Sequence, residues 1–220
     1  MMIEIVLKIG GRLGRGDNLK VLCHHLADLG RRHHILVVPG GGSFADIVRD
    51  YDSRYRLSRD TSHWMAILAM DQFGYILSEL IPESEPVRSL VTARKIAVAG
   101  RVPVLTPFDL LWRTDPLEHS WEVTSDSIAA WVAELAGVHM LVLLKDVDGL
   151  YMTRPHEEDH VAPLDTIMLD QLAVCEGVDP RLASLMKANG LELWIINGEK
   201  PERLVELFKT GHTKGTYMKR

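Results

Sequence analysis

Five short apolar runs, residues 3–7, 34–38, 102–105, 139–144 and 192–196, alternate along the chain with segments of helical periodicity. Apart from Glu4, His34, His139 and Glu192 the runs are apolar, without the in–out alternation of a strand that has one wet face. Strands of that kind are buried on both sides, which requires a mainly parallel sheet with helices packed on each face. The expected architecture is therefore α/β, a three-layer αβα sandwich. The helical segments are 19–29, 44–51, 61–80, 125–136, 180–189 and 201–207, and 215–219 reads as a last strand. Residues 82–100 and 152–161 break the pattern and read as loops or small additions at the rim of the sheet. No internal repeat or low-complexity linker divides the 220 residues, so one domain, 1–220, is expected.

In parallel sheets, ligands bind beyond the carboxyl ends of the strands. Four of those ends carry unusual residues. Lys8, Gly10 and Gly11 follow the first strand, and Gly40, Gly41 and Gly42 follow the second. Lys145-Asp146-Val147-Asp148-Gly149 follows the run at 139–144, and Asn197-Gly198 follows the run at 192–196. A lysine at the end of a buried strand is costly unless it meets negative charge. Glycines let backbone N–H groups come close to phosphate oxygens, and a helix N-terminus adds a favourable dipole. Two glycine clusters beside a strand-end lysine thus point to a phosphate-bearing ligand. Neither cluster has the spacing of a Walker loop or a GxGxxG fingerprint. Asp126 opens a helix. It is either a first-turn residue that favours the dipole or a carboxylate that holds cations around a transferring phosphoryl group.

Charge and composition narrow the partners. The formal net charge of −5 is not the footprint of a nucleic-acid binder. The most apolar stretch, 128–144, is interrupted by Glu134, Gly137 and His139 and is short for a membrane span. The chain opens without the features of a secretory signal, so a cytoplasmic location is expected. Cys23 and Cys175 read as buried thiols. The ten histidines show no metal-ligand spacing, and no resident metal site is expected.

Taken together, Lys8-Ile9-Gly10-Gly11, Gly40-Gly41-Gly42, Thr124-Ser125-Asp126-Ser127-Ile128-Ala129-Ala130, Lys145-Asp146-Val147-Asp148-Gly149-Leu150-Tyr151 and Gly215-Thr216 resemble the amino acid kinase superfamily over nearly the whole chain. The resemblance implies that family's fold and ATP-dependent phosphoryl transfer with Mg²⁺. Its acceptor-side part would span about 1–120 and its nucleotide-side part about 121–220. It implies catalytic roles for Lys8 and Asp126. Gly10, Gly11, Lys145, Asp146, Asp148, Gly149 and Tyr151 would face the nucleotide, and Gly40, Gly41 and Gly42 the acceptor. Many members carry a second catalytic lysine in a GGMxxK segment. Here the corresponding stretch reads Glu176-Gly177-Val178-Asp179-Pro180-Arg181-Leu182, so Arg181 is the candidate substitute and Lys187 reads as a surface residue.

The segment 62–75 is similar to the branch acting in methanofuran biosynthesis, which converts an aminomethyl-furanyl-methyl phosphate to its diphosphate. Such an acceptor needs an anion cradle, an apolar or aromatic wall near Trp64, and a carboxylate for its ammonium, Asp60 or Asp71. Family members are commonly homo-oligomers, and helix 61–80 is the expected contact surface. Two alternatives stay open. One is another small-molecule kinase of the same fold, for a nucleoside or isoprenoid monophosphate or an amino-acid carboxylate. The other is a non-catalytic nucleotide- or oxyanion-binding homologue.

Overall fold

The computed structural model describes residues 2–152 and 162–218. Along the chain run β1 (Ile5–Ile9), α1 (Leu19–Gly30), β2 (Ile35–Pro39), α2 (Gly42–Tyr55), α3 (Arg59–Leu80), β3 (Ser84–Val87), α4 (Leu90–Val98), β4 (Val102–Leu105) and α5 (Phe108–Thr114). Then come α6 (Ser125–Ala136), β5 (Met140–Lys145), β6 (Thr166–Ile167), α7 (Leu169–Leu172), α8 (Leu182–Asn189), β7 (Glu192–Asn197), α9 (Glu202–Thr210) and β8 (Thr216–Met218). The strands form one sheet in the order β3-β4-β2-β1-β5-β7-β8-β6. All neighbours are parallel except β7 and β8, which pair antiparallel.

Successive residues of the central strands feed opposite cores, which is why the runs carry no polar alternation. Val6, Leu36, Val38, Leu141, Leu143, Leu193 and Ile195 pack on one face against α4, α6 and α8. Leu7, Ile9, Ile35, Val37, Val142, Leu144, Trp194 and Ile196 pack on the other against α1 and α9. This is the expected three-layer arrangement.

Three expectations change. The first strand is Ile5–Ile9 rather than 3–7, so Lys8 lies inside it, in register with Val38 of β2 and Leu143 of β5. Residues 82–100 are not a loop: they hold β3 and α4. Pro86 hides the strand in the sequence, and it is tolerated because β3 is at the edge of the sheet. The helix α5 was also absent from the expected pattern. Of the segment 152–161, residues 153–161 lie outside the described residues, as does Lys219 of the expected last strand. No helix among the described residues is long and apolar enough to cross a membrane.

Candidate active site

β1 and β2 are neighbours, so the turns that leave them meet. Gly11 abuts the start of α2: a Cβ on Gly11 would lie 2.1 Å from the Gly42 nitrogen. Gly40 is packed as tightly, with a would-be Cβ 2.6 Å from the Gly11 nitrogen. Gly42 has φ +57°, a conformation open to glycine at little cost. The two glycine clusters therefore make a single joint. Gly10, Gly11, Gly41 and Gly42 line the cleft beyond the strand ends, while Gly40 is buried beneath them.

At the floor of that cleft lies Asp126, 2 % exposed, in the first turn of α6. Lys8 Nζ is 2.7 Å from Asp126 Oδ1, and Lys145 Nζ, from the end of β5, is 2.7 Å from Oδ2. Burial alone would raise the pKa of this carboxyl, but the two ammoniums outweigh it and hold it near about 2. Burial lowers the pKa of Lys8, with the Asp126 carboxylate opposing. Two cations on one carboxylate leave the cluster with one net positive charge. It lines a cleft of about 1180 Å³ that is open to an anionic ligand.

Asp126 is placed by a residue that the sequence did not single out. Asp179, 5 % exposed, accepts hydrogen bonds from Thr124 N (3.1 Å), Thr124 Oγ1 (2.8 Å) and Ser127 N (3.0 Å) on the α6 side. It also accepts from Arg181 N (3.1 Å) and Leu182 N (2.9 Å) at the start of α8. One carboxylate thus caps two helix starts and fixes the α6 turn that presents Asp126. The available signal was an Asp-Pro pair just ahead of a helix.

The remaining candidates divide. Asp146, Gly149 and Tyr151 line the cleft, and Asp146 is 3.6 Å from the Arg12 guanidinium. Asp148 lines it too, but its carboxylate takes Asn197 Nδ2 (2.7 Å), Arg203 (2.8 Å), Lys200 (3.3 Å) and Lys214 (3.4 Å). Burial alone would raise its pKa, and these partners hold it well below the usual carboxylate range. Asp148 therefore ties the end of β5 to β7 and α9 while lining the cleft. Thr216 Oγ1 accepts from Leu150 N (2.8 Å), holding the segment after Gly149 against β8.

Arg181 is not brought to Asp126. Its guanidinium reaches out to Glu118 and Glu122 and is absent from the cleft lining. The second cation beside Asp126 is Lys145.

A second cavity, of about 440 Å³, opens beside the first between α2, α3 and the segment 120–125. Gly41, Ala45, Arg49, Trp121, Thr124 and Ser125 line both. The face of α3 turned to it carries Arg59, Ser62, His63, Ala66 and Met70. Asp60, Trp64 and Asp71 follow the same helical spacing but sit roughly a third of a turn away. Trp64 and Asp71 face α5 instead. Trp64 packs on Trp112 (4.7 Å between centroids) and Phe108 (6.0 Å). Asp71 accepts from Phe108 N at 3.1 Å, and its burial pushes its pKa up to about 6. Asp60 is exposed and pairs with His119 at 2.7 Å. The carboxylates that do line this cavity are Asp52 and Glu122, beside the guanidiniums of Arg49 and Arg59. Asp52 accepts from Trp121 Nε1 at 2.7 Å, and Arg49 lies 4.8 Å over the Trp121 ring.

His63, Asp115 and His119 bring potential metal ligands within 4.8 Å of one another, a grouping not visible in the sequence. The two imidazoles stack nearly parallel, at 18° and 4.0 Å. Their in-plane lone pairs do not converge, and both His119 nitrogens already meet carboxylates. Burial, with His119 adding to it, holds His63 near a pKa of about 4, so its ring in the cavity wall is neutral.

The chain is similar to proteins of one kind. The family model described as the amino acid kinase family matches residues 4–197. A [5-(aminomethyl)furan-3-yl]methyl phosphate kinase of Methanocaldococcus jannaschii is 30% identical over 94% of this chain and 94% of its own. A uridylate kinase of Pyrococcus abyssi is 23% identical, with 96% and 97% covered. The crystal structure of a uridylate kinase from Archaeoglobus fulgidus superposes with a TM-score of 0.76 at 19% identity, covering 98% of this chain and 99% of that one. That likeness shares the fold, and the family match extends from β1 to the end of β7. This chain is a kinase of the amino acid kinase family.

Proposed function

We propose that the chain transfers the γ-phosphoryl group of ATP to a small acceptor that is itself a phosphate monoester, of the [5-(aminomethyl)furan-3-yl]methyl phosphate class. The observation that carries the reading is the Lys8–Asp126–Lys145 cluster at the floor of the cleft. Phosphoryl transfer asks the protein for positioning and charge neutralisation more than for a nucleophile. Lys8 and Lys145 stabilise charge on the equatorial oxygens of the group in transit, and Asp126 keeps the two ammoniums apart and aimed. Backbone N–H groups at the glycine joint hold the phosphates on either side of the transfer. An acceptor phosphate is already an anion at neutral pH, so no general base is required.

The excess positive charge and the open space that the glycines leave fit a nucleotide polyphosphate. Mg²⁺ would arrive on that polyphosphate, with Asp146 a lining carboxylate able to hold it, and would supply further charge neutralisation. The acceptor would occupy the cavity between α2 and α3, with Arg49 at the junction of the two spaces. The smaller cavity draws its lining from α2 and α3 of the acceptor-side part and from residues 120–125 and Ile128 at the start of the nucleotide-side part. The relative's printed name supports the furan phosphate, and uridylate kinases among the relatives make a nucleoside monophosphate the reading to test it against.

The test is ATP consumption by the purified protein with [5-(aminomethyl)furan-3-yl]methyl phosphate, uridine monophosphate and acetylglutamate offered separately. The furan phosphate should give the highest kcat/KM. Lys8→Ala should lower kcat by about 10²–10³, the scale for losing one transition-state charge partner, with a smaller effect on the KM for ATP. Preferred turnover of uridine monophosphate would replace the acceptor and keep the kinase. Full turnover by the Lys8→Ala protein would remove the mechanism.

A further inference from the structure

Ser62 is 3 % exposed, lines the cavity between α2 and α3, and its Oγ has no hydrogen-bond partner among the described residues. A serine in a helix ordinarily turns its hydroxyl to the carbonyl four residues back. Here only the backbone N–H of Ser62 uses the Ser58 carbonyl, at 3.0 Å. Leaving a buried hydroxyl unpaired is a net cost to the folded state. Replacing it with a methyl would be the stabilising choice for the free protein. The lining it shares includes the apolar Ala66, Ile67, Met70 and Ile128, with Arg59 one helical turn before it on α3.

We infer that Ser62 Oγ, closed off from solvent as it stands, turns about χ1 into the cavity to contact the acceptor directly, reading a heteroatom carried on the acceptor's body away from its phosphate. The inference rests on the reading of this cavity as the acceptor site. It goes beyond that reading by naming a chemical class: a compact phosphate monoester whose carbon skeleton bears an oxygen or nitrogen able to hydrogen-bond. A purely hydrocarbon phosphate of the same size would leave the hydroxyl unpaired in the complex. A site built around a substrate polar atom rejects the analogue that lacks it, because its own buried group stays orphaned. Ser62 thus separates acceptors of this class from isoprenoid-like phosphates that would fill the same apolar wall.

The test compares wild type with Ser62→Ala and Ser62→Thr, using [5-(aminomethyl)furan-3-yl]methyl phosphate and a branched alkyl phosphate of similar size. Binding is read by titration calorimetry without ATP, and turnover is read separately. Ser62→Ala should weaken the furan phosphate about 5- to 10-fold, the size of one hydrogen bond. The alkyl phosphate should bind the variant as well as wild type or better. The KM for ATP should not change, and the thermal midpoint of the unliganded variant should hold or rise. Ser62→Thr keeps the hydroxyl and should retain the preference for the furan phosphate over the alkyl one. Equal losses for both phosphates, or no loss for either, would overturn the inference. So would a wild type that binds neither. A wild type that binds the furan phosphate with this pattern but never phosphorylates it would sink the kinase reading and leave the contact standing.

Discussion

Lys8 and Lys145 approach opposite oxygens of Asp126, each at 2.7 Å, from the ends of two neighbouring parallel strands. Two ammoniums share one buried carboxylate only at an electrostatic cost, which an incoming anion relieves. The geometry sets Lys145 beside Asp126 and turns Arg181 out to Glu118 and Glu122, so on the proposed mechanism Lys145 is the second phosphoryl ligand. Lys145→Ala should lower kcat by about 10²–10³. Lys145→Arg should recover part of it, because charge is kept and placement is not. Arg181→Ala should stay within a few-fold of wild type. Steady-state kinetics on the three variants decides the matter, and a dead Arg181→Ala beside an active Lys145→Ala would reverse the assignment.

Asp126→Asn should fail in two ways at once. The substitution leaves Lys8, 4 % exposed, beside Lys145 with no counter-charge. Breaking a buried pair from one side costs about 3–5 kcal/mol, so the variant should melt well below wild type as well as lose turnover. An anion can replace the missing charge. Adding inorganic phosphate or ATP should therefore raise the melting temperature of the variant by more than it raises that of wild type. A variant with wild-type stability and no extra response to phosphate would show that Asp126 is not the counter-ion of both lysines.

Asp71 gives a pH-dependent prediction. Burial raises its pKa from 3.8 to about 6, with the Phe108 N–H opposing. A raised carboxyl pKa means that the folded state resists ionisation, so the penalty is fully present above pH ~6 and disappears as pH falls toward ~4. Asp71→Asn keeps an oxygen for the Phe108 N–H and removes the ionisation. It should stabilise the protein at pH 7 and above, with the gain shrinking to nothing near pH 4. Thermal unfolding across that range checks it. A difference that does not vary with pH would remove burial as the cause.

Much of this was readable from residue order, and the limits have physical causes. β2, β4, β5 and β7 carry short β-branched and leucine-rich runs that only a doubly covered sheet accommodates. Lys8, the glycine joint and Asp126 were legible because a charge or a glycine pair at a strand end has few structural uses. The partnership of Lys145 with Asp126 was not, since it depends on β5 lying beside β1 across the sheet. Arg181 had the expected sequence position, but its guanidinium turns out to Glu118 and Glu122. On α3 the error was one of phase. Asp60, Trp64 and Asp71 and the true lining residues share the same spacing, and nothing in the sequence says which stripe faces α2 and which faces α5. Ser62 carried no signal at all, because an unpaired hydroxyl is a property of packing.

On the proposed reading, the acceptor's ammonium would meet Asp52 rather than Asp60 or Asp71. Asp52 lines the smaller cavity and already accepts from Trp121 Nε1 at 2.7 Å. Asp52→Asn retains an amide oxygen for the indole N–H, so the change removes charge with little loss of packing. A hydrogen bond to a charged partner contributes about 1.5–3 kcal/mol, and the KM for the aminomethyl acceptor should rise tenfold or more. The des-amino analogue has no charge to lose and should be used equally by wild type and variant. Asp60→Asn, altering an exposed carboxylate that pairs with His119, should change neither. Glu122 also lines the cavity, so Glu122→Gln is run alongside. An Asp52→Asn protein that keeps its wild-type preference for the aminomethyl compound, beside a Glu122→Gln protein that loses it, would move the ammonium to the segment 120–125 and leave Asp52 as the anchor of Trp121.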